Sequence, residues 1–303
     1  MKIKKKLINK KNFEKSIEFI YAEENLNKES LPLILYIGGT GWLGYFPIIY
    51  KIADICNKRI LYKLVNEGYS CAIVRYRGKF FKPLSIRNNI ILLLITINID
   101  YYIGLFLLIF IIYWIYSSNY FPKINEMKED LIKNINKCLF YNNNLIKYEM
   151  NTNGEIIVIA YSAGSHLLLS SFKKLDIKNI NLIKKIILIS GVLNIPKKED
   201  LKDGIIDKMT KLVLDLINNN KKECLNILDE KIVLYEKIPF LIVKSKYEFF
   251  NIPIIEKVAK KFLDKTNFIK NINDVETFYV ESNHWLILTN KKVLEKIKNF
   301  INK

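Results

Sequence analysis

Apolar residues in this chain come in short unbroken runs bounded by turn residues. Leu33–Ile37, the centre of the segment Tyr69–Arg77, the stretch from Glu155 to Ala160, Ile186–Ile189 and Pro239–Val243 are each dominated by apolar residues. A strand with water on one face alternates apolar and polar side chains, whereas a strand covered on both faces reads as a continuous apolar run. These runs therefore predict buried strands, with a further strand at Thr277–Val280. Helical patterns lie between and after them: the apolar stretch that follows Ala163 to Phe172, a segment beginning at Phe121, and a last helix beyond His284. Strands alternating with helices predict an α/β protein, a mostly parallel central sheet flanked by helices, and 303 residues suffice for one such domain over 1–303 with insertions. The polar residues 142–154 predict an insertion-tolerant surface loop. Residues 1–19 lack the long apolar stretch of a secretory signal and read as a basic lead-in, with helix as its candidate structure.

One apolar run is of a different kind. Leu84–Tyr120 has the hydropathy of a membrane segment, yet it is inserted between two strands of one sheet. A single crossing would leave those strands on opposite sides of a bilayer, so the segment must return to the side it left. Asn98, Asp100 and the neighbouring tyrosines divide it into Ile86–Ile99 and Tyr101–Tyr116. At ~1.5 Å per residue these halves make helices of roughly 21 and 24 Å, short of the ~30 Å hydrocarbon core. The expectation is a hydrophobic helical hairpin over 84–120 that dips into one leaflet; the alternative is an apolar lid packed on the protein. Arg75, Arg77, Lys79, Lys82 and Arg87 before it, and Lys123 and Lys128 after it, would keep both ends on the cytoplasmic face. A second segment, 191–235, is a candidate cap.

Candidate chemistry sits where the strands end. The strand from Glu155 runs into Ala160-Tyr161-Ser162-Ala163-Gly164 and then directly into a helix, which is the context a G-x-S-x-G nucleophile elbow requires, with Ala160 at the first glycine's position. Leu33–Ile37 empties into Gly38-Gly39-Thr40-Gly41-Trp42. Backbone N–H groups in such a loop approach a developing oxyanion without side-chain obstruction, and Gly39 or Thr40, together with Ala163, are the candidate donors. Phosphate binding is the weaker reading, because neither G-x-G-x-x-G spacing nor a Walker lysine is present. Glu248, at the end of a predicted loop Lys244–Glu248, is the candidate acid, with Asp264 and Asp274 also near in sequence. Of the two histidines, His166 lies one helical turn beyond Ser162, too far down the elbow helix to serve a hydroxyl at its top. His284 is the candidate general base.

The order Ser162, Glu248, His284, with the glycine loop upstream, resembles the α/β-hydrolase superfamily, and more narrowly its esterase/lipase branch with isoprenylcysteine methylesterase-like and kynurenine formamidase-like members. Gly38–Trp42 resembles that branch's H-G-G-G-W oxyanion loop, with Gly38 in the place of histidine. Tyr69–Arg77 resembles the strand and D-Y-R-type turn that follow the loop, and residues 121–130 resemble the segment leading to the next helix. The resemblance runs from about Leu33 to the C-terminus, with gaps. It implies an α/β-hydrolase fold and a serine carboxylic ester hydrolase: Ser162 as nucleophile, His284 as base, Glu248 orienting the imidazole, and N–H groups of Gly39, Thr40 and Ala163 as the oxyanion hole. The expected substrate is a small-molecule or lipid ester or thioester with a hydrophobic acyl or prenyl portion, reached from a membrane through residues 84–120. No metal or organic cofactor is implied. Two alternatives stay open: a membrane-anchored hydrolase-fold binding protein without catalysis, and a soluble formamidase-type amidase whose hairpin is a lid.

Composition narrows the partners. The net charge of +18 would suggest nucleic acid or anionic membrane. The surplus is nearly all lysine, spread along the chain, with arginine only at Arg59, Arg75, Arg77 and Arg87, and no zinc-finger spacing or RNP-like motif accompanies it. No nucleic-acid partner is expected. Cys56, Cys71, Cys138 and Cys224 lack C-x-x-C spacing, which argues against a metal site or a disulfide framework and for a reducing compartment. The resulting expectation is a membrane-associated protein with its catalytic domain facing the cytoplasm.

Overall fold

The buried runs assemble into one eight-stranded sheet of order β1-β2-β4-β3-β5-β6-β7-β8. The strands are β1 (Ile3–Ile8), β2 (Ile17–Ala22), β3 (Leu31–Ile37), β4 (Cys71–Val74), β5 (Thr152–Tyr161), β6 (Ile183–Ile189), β7 (Phe240–Tyr247) and β8 (Val275–Asn283). This computed structural model describes residues 2–8, 16–27, 29–39, 47–77, 105, 108, 124–141, 150–175, 177–191, 238–247, 275–284 and 286–303. Within them, β1 and β2 pair antiparallel, as do β2 and β4, and every pairing from β4 to β8 is parallel. Of the expected hairpin over 84–120 only Leu105 and Leu108, both helical, are described, and the candidate cap over 191–235 lies outside the described residues beyond Gly191. Among the described residues no helix is long and apolar enough to cross a membrane.

Both faces of the central strands are covered, which is why those strands read as unbroken apolar runs. Alternate residues Leu33, Leu35 and Ile37 of β3, Ile156, Val158 and Ala160 of β5, and Ile186 and Leu188 of β6 pack on one side. There they meet Met127, Leu131 and Ile135 of α2 (Ile124–Tyr141) and Leu167 and Leu168 of α3 (Ala163–Ser171), the helix that follows the elbow. Ile34, Tyr36, Ile157, Ile159, Tyr161, Ile187 and Ile189 point the other way. They pack with Ile60, Leu61 and Leu64 of α1 (Pro47–Asn66) and Val293, Ile297 and Phe300 of the last helix, α5 (Lys291–Asn302). A short helix α4 (Ile177–Ile180) precedes β6.

Helix α5 is closed at both ends. The Asn290 side chain accepts from the Lys292 N–H at 2.9 Å, and Lys185 Nζ donates to the Phe300 and Ile301 carbonyls at 2.9 and 2.7 Å. An asparagine cap and a cation on the last carbonyls satisfy groups that a helix end otherwise leaves to water.

Three sequence expectations need correction. The basic lead-in is not helical: β1 and β2 form an antiparallel arm on the edge of the sheet. Its lysines Lys5 and Lys6 are exposed on the outermost strand, a placement that discourages edge-to-edge association. The segment expected as a loop after Val243 continues as strand to Tyr247, because β8 offers it a parallel partner through Tyr247↔Asn283. The surface loop expected over 142–154 ends sooner, since β5 begins at Thr152.

A cluster of buried charge joins β2, α1 and β4. The Arg75 guanidinium donates to Glu18 and, at 2.8 Å, to Asp54, and Lys58 Nζ reaches Glu18 at 3.0 Å and Asp54 at 2.6 Å. Two cations face two carboxylates, so the group is neutral, and removing one partner of such a buried set costs about 3–5 kcal/mol.

Candidate active site

The carboxyl ends of β3, β5 and β6 meet at Ser162. Its backbone sits at φ 51°, ψ −124°, a left-handed conformation that costs a serine about 1–3 kcal/mol and persists only where the surroundings impose it. The surroundings are backbone. Ser162 N–H donates to Ile189 O of β6 at 3.0 Å, and Ser165 N–H donates to Ser162 O at 3.0 Å as α3 begins. The result is a sharp turn that presents Oγ beyond the end of β5.

Two glycines make this turn possible, each by close approach. A Cβ on Gly39 would lie 2.4 Å from Tyr161 O, 2.5 Å from Ser162 Cβ and 2.9 Å from Ala163 N. A Cβ on Gly164 would lie 2.6 Å from Ile37 O and 2.8 Å from Gly38 O. The β3 loop and the elbow therefore touch main chain to main chain, and no side chain fits at either position. Ala160, in the motif's first glycine position, is tolerated for the opposite reason: its methyl belongs to the core on the α2–α3 face, and its carbonyl accepts from Ser165 Oγ at 3.0 Å.

His284 completes the pair. Its Nε2 lies 2.9 Å from Ser162 Oγ, the distance of a hydrogen bond, although the two residues are 122 apart in sequence. Both are nearly withdrawn from solvent, 6% and 9% exposed. The histidine stands at the end of β8, and two hydroxyls hold the chain there. Tyr161 Oη donates to His284 O at 2.6 Å, with the phenol ring 5.2 Å from the imidazole, and Ser245 Oγ of β7 donates to Ser282 O.

The glycine loop is held from both faces of the sheet. Tyr76, two residues beyond β4, donates from Oη to Gly38 O at 2.8 Å. From the α1 side the Asn57 amide fills the space a residue-38 side chain would need, with Nδ2 2.6 Å from an ideal Cβ, and Tyr36 Oη donates to Asn57 Oδ1 at 2.9 Å. Burial pushes the Tyr36 phenol well above its ordinary range, so it stays a donor.

Of the sequence-predicted site residues, the structure brings together Ser162, His284, Gly39 and Ala163. Thr40 and Glu248 lie outside the described residues; Glu248 directly follows the last residue of β7. His166 is fully buried on α3, consistent with its exclusion as base. Tyr76, Tyr161 and Asn57 are site residues that sequence reasoning misses. Two of them carry a readable signal, because a tyrosine at the end of a buried strand needs an acceptor for its hydroxyl. Two cysteines, Cys71 and Cys138, are buried in apolar surroundings that raise their thiol pKa steeply, which makes them inert packing residues.

No protein-family model and no curated protein sequence matches this chain. Solved structures do. Esterase B from Lactobacillus rhamnosis (HN001) superposes with a TM-score of 0.62 over 99% of this chain and 84% of its own, at 11% identity. An esterase from the fungus Rhizomucor miehei gives a TM-score of 0.60 over 99% of this chain and 81% of its own, at 16% identity. The Francisella virulence factor BioJ gives 0.60 over 100% and 85%, at 15% identity. Esterase B is also known in a form inhibited by a C4-C4 tributyrin phosphonate. Likeness at these identities is one of architecture, and the architecture is the α/β-hydrolase fold of esterases.

Proposed function

We propose that this chain is a serine hydrolase that cleaves a carboxylic ester or thioester with a hydrophobic acyl or prenyl portion. The observation that carries this reading is the 2.9 Å contact between Ser162 Oγ and His284 Nε2, made on a strained turn that carries the serine past the carboxyl end of β5. A serine hydroxyl is a weak nucleophile until a base takes its proton, and a neutral imidazole nitrogen at hydrogen-bond distance is that base.

In this reading Ser162 Oγ attacks the carbonyl carbon as its proton passes to His284 Nε2. The oxygen, now negative, is held by the N–H groups of Ala163 and of Gly39 or Thr40. The C–O or C–S bond then breaks, the leaving alcohol or thiol takes the proton from His284, and water repeats the sequence to free the acid and Ser162. Glu248, one residue beyond β7, is assigned the acid that orients the imidazole. Support for ester chemistry comes from the esterases that share the fold, one of them captured with a phosphonate inhibitor. Residues 84–120 are assigned to one leaflet of a membrane, with the domain on the cytoplasmic side, from which the apolar part of the substrate enters.

Labelling with a fluorophosphonate in detergent tests the reading. Wild type takes the label at one serine, and Ser162→Ala and His284→Ala take none. A folded wild type that stays unlabelled would end the enzyme reading in favour of a binding module with a hydrolase fold.

A further inference from the structure

We infer that Tyr76 is a positioning residue that aims the Gly39 N–H at the oxyanion, an inference that rests on the hydrolase reading above. The Gly38 carbonyl and the Gly39 N–H belong to one peptide unit. A trans peptide is planar, so its C=O and N–H point in opposite directions, and fixing one fixes the other. Tyr76 Oη holds the Gly38 oxygen at 2.8 Å. The Gly39 end of the same unit lies against Tyr161 O, Ser162 Cβ and Ala163 N, beside the hydroxyl that attacks and the N–H of the residue after it.

A peptide between two glycines especially needs such a restraint. Glycine populates both signs of φ at little cost, so rotation of the 38–39 unit meets no Cβ resistance of its own. Packing limits translation of the loop, since Asn57 on one side and the start of α3 on the other leave no room. The Gly38 oxygen lies close to α3, where a Cβ on Gly164 would be 2.8 Å from it, and the hydrogen bond from Tyr76 adds to that contact a direction for the carbonyl.

The phenol is itself held by what precedes it. The Arg75 guanidinium is tied to Ser16 at 3.2 Å, to Glu18 and to Asp54, and Asn134 Nδ2 of α2 donates to the Arg75 carbonyl at 2.8 Å. Side chain and main chain of the residue before Tyr76 are thus fixed to β2, α1 and α2. Tyr76 is buried, 6% exposed, among the residues of the α2–α3 face. The buried charge cluster, which takes no part in the chemistry, is accordingly a mount for the residue that orients the oxyanion donor.

The test compares the full chain with Tyr76→Phe in detergent, counting competent sites by fluorophosphonate and following p-nitrophenyl butyrate and its thiono analogue. Removing an oxyanion donor lowers kcat by about 10²–10³. Releasing its orientation is expected to lower kcat per labelled site roughly 10- to 100-fold with KM unchanged. The loss is expected to be smaller for the thiono ester, whose sulfur accepts hydrogen bonds poorly, and Tyr76→His, which restores a ring donor, is expected to recover part of the rate. Unchanged kcat in Tyr76→Phe, or equal losses on the two esters, would overturn the assignment. Loss of fold in both variants would overturn it as well, because the phenol would then hold the domain rather than one peptide. Absence of labelling in folded wild type is the separate result that removes the hydrolase reading itself.

Discussion

Ser162 directly follows β5 near the middle of the sheet, between β3 and β6, whereas His284 directly follows β8, the outermost strand on its side. The two regions are built differently. Around the serine the restraints are backbone against backbone: Gly39 on Tyr161 and Ala163, Gly164 on Ile37 and Gly38, and the Ser162 N–H on Ile189. Around the histidine the described residues supply side-chain hydroxyls, Tyr161 on His284 O and Ser245 on Ser282 O, while Tyr279 of β8 is exposed with Lys244 stacked over it. Close packing is rigid and intolerant, whereas a hydrogen bond is directional and replaceable. The nucleophile is therefore placed by sterics and the base by a few polar contacts.

Gly39→Ala tests the steric half and should have the largest effect. Its methyl would meet Tyr161 O at 2.4 Å, so the loop must move away from the elbow. Overpacking of this kind costs about 1–3 kcal/mol, and displacing the donor should lower kcat by about 10² or more. Thermal unfolding and kcat measured together check this, and a variant with normal activity would show that the contact is soft.

Tyr161→Phe tests the polar half and should do less. It deletes one buried hydrogen bond, worth about 1 kcal/mol, and leaves the His284 carbonyl to relax. Stability should fall by that amount and kcat by about 10-fold, since the imidazole is misaimed without being removed. A loss as large as that of Gly39→Ala would mean that both regions are equally stiff.

The smallest effect belongs to the ion pairs at the far end of β8. Glu276 accepts from Lys296 of α5 and, at 3.1 Å, from Lys303 just beyond it, and these hydrogen bonds lower its carboxyl pKa. A depressed folded pKa means that the contribution to stability is present above the unfolded glutamate pKa and is lost as pH falls through the lower folded value. Glu276 is partly exposed, so solvent screening keeps the contribution below about 1 kcal/mol. Glu276→Gln should match wild type in activity, with a slight loss of stability at neutral pH that vanishes in acid. A measurable loss of activity would show that charge on this arm positions His284.

Much of this arrangement is legible in the amino-acid sequence. The apolar runs locate β3 to β7 because strands buried on both faces show no alternation, and the strand–turn–helix context locates Ser162 because elbow geometry is local. His284 follows because the other histidine lies too far down the elbow helix. What stays hidden depends on partners distant in sequence. Tyr161 meets His284 across 123 positions, Tyr76 meets Gly38 across 38, and no local pattern pairs them. The lysine-rich β1 is hidden for another reason: as an edge strand it is defined by its antiparallel pairing with β2, not by burial. The extension of β7 to Tyr247 likewise depends on β8 beside it.

Asn57 occupies the volume that a side chain at position 38 would need, and Tyr36 spends its buried hydroxyl on Asn57. Positions 36, 38 and 57 therefore behave as one heritable unit. A descendant that gained bulk at 38 while keeping Asn57 would have to swing the Asn57 amide aside and away from Tyr36. One that first trimmed Asn57 would strand the Tyr36 phenol without its acceptor. One that first lost the Tyr36 hydroxyl would leave the Asn57 Oδ1 without that donor, so a change at any of the three positions is felt at the other two.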